Sequence, residues 1–135
     1  MQRAGTPPRV VEVADGDAGH YVAELARIAE KAAGEEGLTA IVAADAARAN
    51  WLSKQLGERA QLVDRNSLMP ATGVVLMDLR LAKGLEFDHV VVPDAQAEVY
   101  PDTPLARRRL YTAISRAMHE VTIVSQGALT PLLAR

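Results

Sequence analysis

Apolar residues in this chain fall into short runs that follow two different spacings. Nearly continuous apolar runs predict six short strands, over 9–13, 38–44, 60–64, 73–79, 89–95 and 120–126. Apolar residues three and four positions apart predict helices, over 17–34, 45–56 and 104–118, with a short tail helix over 129–135. Because strands and helices alternate with brief connections, the pattern predicts an α/β fold, with a mostly parallel sheet and helices on both faces.

The composition is that of one globular domain. The chain has 135 residues, 49% of them hydrophobic, which is enough for one domain with a real core. We expect residues 1–8 to be a lead-in or linker and residues 9–135 to form the domain. The formal net charge of -2 provides no global positive field, although local basic clusters remain compatible with nucleic-acid binding. Since the chain has no cysteine, no apolar leader and no run of membrane-spanning length, we expect a cytoplasmic protein without a membrane partner.

The first segment that carries chemistry is "DLRLAKGLEFDHVVV", residues 78–92. It places Lys83, Glu86 and Asp88 between two predicted core strands. Ligands in α/β proteins gather where strands end and loops begin, so this concentration of charge has a functional interpretation. The alternative is a solvated turn in which Lys83 and Glu86 form a local ion pair, and the spacing alone does not decide between the two.

The second segment is "ARRRLYTAISRAMHEVTIV", residues 106–124. In the predicted helix, Arg109 and Arg116 lie seven positions apart, so both follow one flank of the buried stripe. Arg116 would then place its stem against the core and present its guanidinium at the rim. The alternative is a surface arginine that is paired with a nearby carboxylate. The functional interpretation predicts an exposed Arg116 without a partner in this domain.

Together, "AKGLEFDHVVV" and "RRLYTAISRAM" resemble motifs V and VI of superfamily 1 helicases of the UvrD/Rep type. Both motifs occur in the family's order, on the expected types of element and at a plausible separation. In that family they belong to the second of two RecA-like domains. The resemblance therefore implies a three-layer RecA-like domain of the P-loop NTPase type, the C-terminal motor domain of an ATP-dependent DNA helicase or translocase.

The resemblance also implies roles for individual residues. The "KGLE" motif, here with Gly84 and Glu86, approaches the ATP ribose in that family. The arginine of motif VI, here Arg116, reaches the γ-phosphate across the cleft between the two motor domains and is the expected catalytic residue. Arg80 and Lys83 are the candidates for contacts with the phosphates of bound single-stranded DNA. Arg80 stands where the family usually has a histidine, so the link between the two sites is expected to differ here.

Further expectations follow from what the sequence lacks. No Gly-x-x-x-x-Gly-Lys-Ser/Thr motif is present, so the chain lacks the half of the site that holds phosphates and Mg²⁺. We therefore expect a fragment of a longer protein that is inactive alone and works with ATP, Mg²⁺ and an N-terminal RecA-like domain. Only about thirty residues separate "IVAA" from "VVLM", too few for the large inserted domain of UvrD and Rep.

That short connection and the ending "SQGALTPLL" are most similar to HelD-type proteins, which implies an alternative: an ATPase that binds RNA polymerase and unwinds little or no DNA. The three histidines, His20, His89 and His119, show no metal-ligand spacing, so the sequence predicts no metal site. The loop over 93–104 either flanks the nucleotide cleft or is a plain connection, and the sequence leaves both open.

Overall fold

A computed structural model describes residues 8–133; residues 1–7 and 134–135 lie outside the described part, as does nearly all of the predicted lead-in over 1–8. The six strands are β1 (Arg9–Val13), β2 (Leu38–Ala43), β3 (Gln61–Leu62), β4 (Gly73–Asp78), β5 (Phe87–Val92) and β6 (Ala117–Gln126). The four α-helices are α1 (Ala18–Ala33), α2 (Ala46–Leu56), α3 (Leu79–Ala82) and α4 (Pro104–Ile114), and a single 3-10 turn covers Gly57–Arg59.

All six strands join one sheet in the order β1-β6-β5-β2-β4-β3, and every strand pair is parallel. Each connection therefore begins at the carboxyl edge of the sheet and ends at the amino edge. β2 is buried along its whole length, as expected for a central parallel strand covered on both faces. The predicted parallel α/β fold is confirmed.

Helices cover both faces of the sheet and create two separate cores. Residues of α1 and α2 pack on one face, around Leu25 and Leu52. Residues of α3 and α4 pack on the other, around Leu79 and Leu110. This is the predicted three-layer arrangement. No helix in residues 8–133 is long and apolar enough to span a lipid bilayer.

Polar caps set the starts of the helices. Asp17 accepts a hydrogen bond from the His20 amide at 3.0 Å, and Asp45 accepts one from the Arg48 amide at 2.8 Å. These are the helix starts that the sequence predicts. α4 begins in the same way at Thr103, with Pro104 in its first turn.

Several predicted boundaries are wrong, and among them β5 spans Phe87–Val92 rather than 89–95. α4 ends at Ile114 rather than Met118, and β6 begins at Ala117. β3 has only two residues, because Val63 already turns into the loop. The predicted tail helix is absent from residues 129–133, where the chain forms a bridge and a turn; residues 134–135 of that prediction lie outside the described part.

Candidate functional site

The connection over 79–86 crosses the sheet in eight residues, from the carboxyl end of β4 to the amino end of β5. Asp78 starts α3 by accepting a hydrogen bond from the Leu81 amide at 2.9 Å. The helix lasts one turn, and Gly84 follows with φ +84°. A Cβ at Gly84 would contact nothing within 4 Å, so glycine is favoured there by its backbone conformation and not by lack of space.

Glu86 and Arg116 meet at the amino edge of the sheet. Each directly precedes one member of a register pair, Phe87 on β5 and Ala117 on β6. The Phe87 amide donates a hydrogen bond to the Arg116 carbonyl at 2.9 Å, which ties the two segments together. Two segments thirty residues apart in sequence thus form one local surface.

The Arg116 guanidinium is held by neutral groups alone. Nη2 donates to the Ser115 hydroxyl at 3.2 Å, Nη1 donates weakly to the Leu85 carbonyl at 3.5 Å, and Nε is buried without a partner. Within residues 8–133, no carboxylate forms an ion pair with Arg116. The expectation of an exposed side chain is wrong, because Arg116 is partly buried. The alternative, an arginine neutralised by a nearby carboxylate, is not what the structure contains.

The charges over 83–88 do not form one cluster. Glu86 and Lys83 are exposed, and neither has a hydrogen bond or ion pair among the residues described here. Asp88 instead points to the start of β2, where its carboxylate accepts a hydrogen bond from the Leu38 amide at 2.8 Å. Including Asp88 in the predicted charged group was therefore wrong. Its position in β5 makes it a structural residue.

A second charged surface lies at the opposite, carboxyl edge. Arg80, Lys83 and Arg109 line a cavity of about 460 Å³ there, next to the end of β2. Arg109 is fixed by a hydrogen bond from Nη2 to the Ala44 carbonyl at 2.8 Å. The predicted alignment of Arg109 and Arg116 along one helix flank is wrong: α4 ends before Arg116, and the two arginines lie at opposite edges. We call Arg80, Lys83 and Arg109 the basic edge.

Two carboxylates, Asp45 and Asp78, also line this cavity. Each accepts a hydrogen bond from a backbone amide at the start of a helix, so each is engaged in capping. Arg80 and Lys83 have no ion pair in the described part of the chain.

A buried network that the sequence did not predict holds the loop after β5. Asp94 is 1% exposed, and its carboxylate accepts hydrogen bonds from Arg48 Nε and the Tyr21 hydroxyl, both at 2.8 Å. The guanidinium of Arg48 also lies 4.1 Å from the centre of the Trp51 ring. The one available signal was an aspartate two residues after a buried strand.

This network is electrostatically coupled. Burial, reinforced by the adjacent Asp94 carboxylate, raises the pKa of Tyr21 well above its usual range. Burial alone would lower the pKa of Arg48, but its hydrogen bonds to Asp94 and the charge of that carboxylate raise it. The loop that the network fixes begins at the carboxyl edge, away from Glu86 and Arg116. Whether this loop flanks a nucleotide cleft or is a plain connection stays a prediction.

The fold and its two charged edges define a class: a RecA-like α/β domain with a parallel sheet between two helical layers. A family model, described as the UvrD-like helicase C-terminal domain, matches residues 73–124, from β4 into β6. This chain is similar to a crystal structure of the C-terminal domain of a possible DNA helicase from Lactobacillus plantarum WCFS1. The two have 41% sequence identity and a TM-score of 0.82, and the match covers 97% of this chain and 81% of that chain. This chain belongs to the family of UvrD-like helicase C-terminal domains.

A more distant similarity to a second solved structure shows only that the two proteins share a fold. A crystal structure of a CRISPR-associated protein is 15% identical, with a TM-score of 0.52, and the match covers 96% of this chain and 18% of that one. A comparison with curated proteins yields no match. The resemblance to UvrD-type helicases is confirmed. The HelD-type branch stays a prediction.

Proposed function

We propose that residues 9–135 form the second motor domain of a longer ATP-dependent DNA helicase or translocase, in which Arg116 is an arginine finger. The observation that carries the proposal is the position of Arg116 beside Glu86, with a guanidinium that no carboxylate of the described residues neutralises. A permanently charged side chain held this way keeps most of its attraction for an external anion. The family membership supports a nucleotide phosphate as that anion.

The groups of this chain suit the ribose and the terminal phosphate of an ATP molecule bound between two domains. The exposed Glu86 carboxylate is a hydrogen-bond acceptor suited to ribose hydroxyls, and the glycine turn at Gly84 leaves open space beside the backbone. Arg116 would stabilise the negative charge that develops on the phosphoryl oxygens during transfer. The phosphates and Mg²⁺ would be held by an N-terminal RecA-like domain, because this chain contains no Walker A motif.

This division of the site couples hydrolysis to movement. Arg116 is attached to the start of β6, and so is rigidly part of this domain. It would reach the phosphates when the cleft between the two domains closes and withdraw when the cleft opens. Hydrolysis would then occur only in the closed state.

The basic edge is the proposed contact with single-stranded DNA. Arg80 and Lys83 carry charges without ion-pair partners among residues 8–133, and Arg109 is anchored beside them. Lysine and arginine contacts with phosphates provide affinity that does not depend on sequence. Because nucleotide and nucleic acid would bind at opposite edges, the connection over 79–86 is the direct link between them.

The arginine-finger proposal is tested by steady-state ATP hydrolysis of the protein that joins this chain to its Walker A domain. Arg116→Ala should lower kcat by about a thousandfold or more, the usual contribution of an arginine finger. Arg116→Lys should recover little, since an ammonium lacks the planar set of donors. Arg108→Ala, an exposed arginine on α4, is the matched control and should leave kcat unchanged.

The isolated chain should not hydrolyse MgATP. An appreciable magnesium-dependent turnover by the isolated chain that Arg116→Ala abolishes would contradict the proposed division of the site. A kcat within tenfold of wild type for Arg116→Ala in the two-domain protein would contradict the finger role itself.

The HelD-type alternative concerns the parent protein and not this domain. Both alternatives require Arg116 for hydrolysis. They differ in strand displacement by the full-length protein, which a helicase performs and a polymerase-binding ATPase does not. Neither similar structure is described as binding RNA polymerase, so that partner stays a prediction.

A further inference from the structure

Three adjacent strands place polar side chains in one row across the sheet, on the face covered by α1. Thr39 on β2 pairs in register with His89 on β5, which pairs in register with Glu120 on β6. Glu35, in the turn after α1, reaches the same place. One possible ligand atom from each of Glu35, His89 and Glu120 lies within 4.8 Å of the other two.

The spacing matches that of metal ligands. His89 Nδ1 and Glu120 Oε1 are 3.4 Å apart, yet Nδ1 is buried without any hydrogen bond. Two ligands on a tetrahedral zinc ion, each at about 2.0–2.1 Å, lie about 3.3–3.4 Å from each other. The pair is therefore separated as two ligands of one ion would be.

Thr39 supplies an independent observation. Its side chain is 1% exposed, and its hydroxyl has no hydrogen-bond partner in the described structure. It lines a cavity of about 50 Å³ together with Glu35, His89 and Glu120. A buried hydroxyl without a partner is costly, and a cavity of this size has room for an ion and a water molecule. A metal-bound water would provide the missing partner.

The candidate ligands suit a divalent cation, although three cationic side chains in the lining oppose it. Glu35 and Glu120 together supply a charge of -2, opposite in sign to that of the ion. Arg9, Arg27 and Lys31 also line the cavity, but none of them forms an ion pair with Glu35 or Glu120 within residues 8–133, and Arg27 is bound to Glu24 at 2.8 Å. An imidazole ligand favours zinc over magnesium or calcium.

We propose that Glu35, His89 and Glu120 bind one Zn²⁺ ion, with water as the fourth ligand and the Thr39 hydroxyl beside it. The ion would join the end of α1 to the adjacent strands β5 and β6. The site is separate from the residues assigned to ATP and DNA above. The sequence did not reveal it, because its ligands come from three elements and have no local spacing.

Isothermal titration of ZnCl₂ into the untagged chain, after treatment with a chelator, tests the proposal. We expect one ion per chain, and no detectable binding of MgCl₂ under the same conditions. Glu35→Gln, His89→Gln and Glu120→Gln should each weaken zinc affinity about tenfold or more. Cobalt(II), used as a spectroscopic substitute, should give the intense visible absorption of tetrahedral coordination.

Two matched variants control for adventitious binding. Glu36→Gln removes the neighbouring carboxylate, which is not among the three ligands, and His20→Gln removes an exposed imidazole between Asp17 and Glu24. Both should bind zinc within about twofold of wild type. Circular dichroism checks the fold of each variant, and Glu35→Gln keeps the test valid if a strand variant fails to fold, since Glu35 is exposed. Absence of zinc binding, or equal losses from Glu35→Gln and Glu36→Gln, would overturn the proposal.

Discussion

Two buried tyrosines differ in the hydrogen bonding of their hydroxyl groups. The Tyr21 hydroxyl donates to Asp94 at 2.8 Å and also accepts a hydrogen bond from the Asp94 amide. The Tyr100 hydroxyl is buried without a partner among the described residues. Each ring is almost inaccessible to solvent, so replacement by phenylalanine isolates the contribution of the hydroxyl.

We predict that Tyr21→Phe lowers the free energy of unfolding by about 1–3 kcal/mol, because it leaves buried groups of Asp94 unpaired. Tyr100→Phe should be neutral or slightly stabilising, since it removes a polar group that the fold does not satisfy. Urea unfolding of the two variants measures the difference. Equal losses would show that the Asp94 network adds nothing beyond packing.

The same tyrosines predict the alkaline limit of stability. Burial raises the pKa of Tyr100 to about 12, and burial and Asp94 raise that of Tyr21 further. An unfolded tyrosine ionises near pH 10, so above this value the unfolded state releases protons that the folded state keeps. The free energy of unfolding should therefore fall as the pH rises above about 10. Tyr100→Phe should reduce the slope of that fall between pH 10 and 12; an unchanged slope would contradict it.

Residue chemistry was predictable where a motif carried it and unpredictable where it depended on tertiary contacts. The motifs singled out Glu86 and Arg116, and the structure brings these two together. Asp94 adopts φ 60°, a conformation that nothing in "VVVPDA" indicates. Its partners Tyr21 and Arg48 come from helices far away in the sequence.

At the scale of elements, the six strands and the three longer helices were predicted, and the end of α4 was missed for a clear reason. Leu110, Ala113 and Ala117 have the spacing of a helical core stripe, and all three are buried. Ala117, however, is buried as the first residue of β6. Since either element buries it, the periodicity could not show that the helix ends at Ile114.

Alanine substitutions at two glycines measure how much the turns before β2 and β5 depend on glycine. Both have positive φ, +90° at Gly37 and +84° at Gly84. A Cβ at Gly37 would lie 2.5 Å from the Asp88 carboxyl group, whereas one at Gly84 would meet nothing. Gly84→Ala should cost about 1–2 kcal/mol, from the backbone conformation alone. Gly37→Ala should cost about 1–3 kcal/mol more, because it displaces Asp88 from the Leu38 amide.

Thermal or urea unfolding of the two alanine variants measures these costs. Equal destabilisation by both substitutions would mean that the Asp88 contact at the start of β2 does not contribute. Both substitutions carry the same cost of a side chain at positive φ, so the difference between the two variants measures the Asp88 contact.

At the scale of the whole molecule, the parallel sheet separates the two proposed sites. Every connection ends at the amino edge of the sheet, and Glu86 and Arg116 lie there. Every connection begins at the carboxyl edge of the sheet, where the residues of the basic edge lie. The family resemblance pointed to Glu86 and Arg116 at one edge and to Arg80 and Lys83 at the other, but not to Arg109. The predicted parallel strands already place Arg80 after one strand and Glu86 before the next, and so at opposite edges. The sequence could not show that Arg109 joins Arg80, because that depends on its tertiary contact with the Ala44 carbonyl.

Salt dependence of single-stranded DNA binding tests the basic edge. If Arg80 contacts one phosphate, Arg80→Gln in the two-domain protein should weaken binding and reduce the slope of log K against log salt by about 0.7. Arg27→Gln, on α1 at the opposite face of the sheet, serves as the control and should change neither quantity. An unchanged slope for Arg80→Gln would remove Arg80 from the DNA-binding surface.

We propose that Arg116 acts on the transition state of ATP hydrolysis in a site completed by another domain. The most direct measurement compares the affinities of the two-domain protein for MgATP and for MgADP with aluminium fluoride, which mimics the transferring phosphoryl group. For Arg116→Ala we predict a change of less than about tenfold for MgATP and a loss of about a hundredfold or more for the transition-state mimic. Equal changes in both affinities would contradict the account.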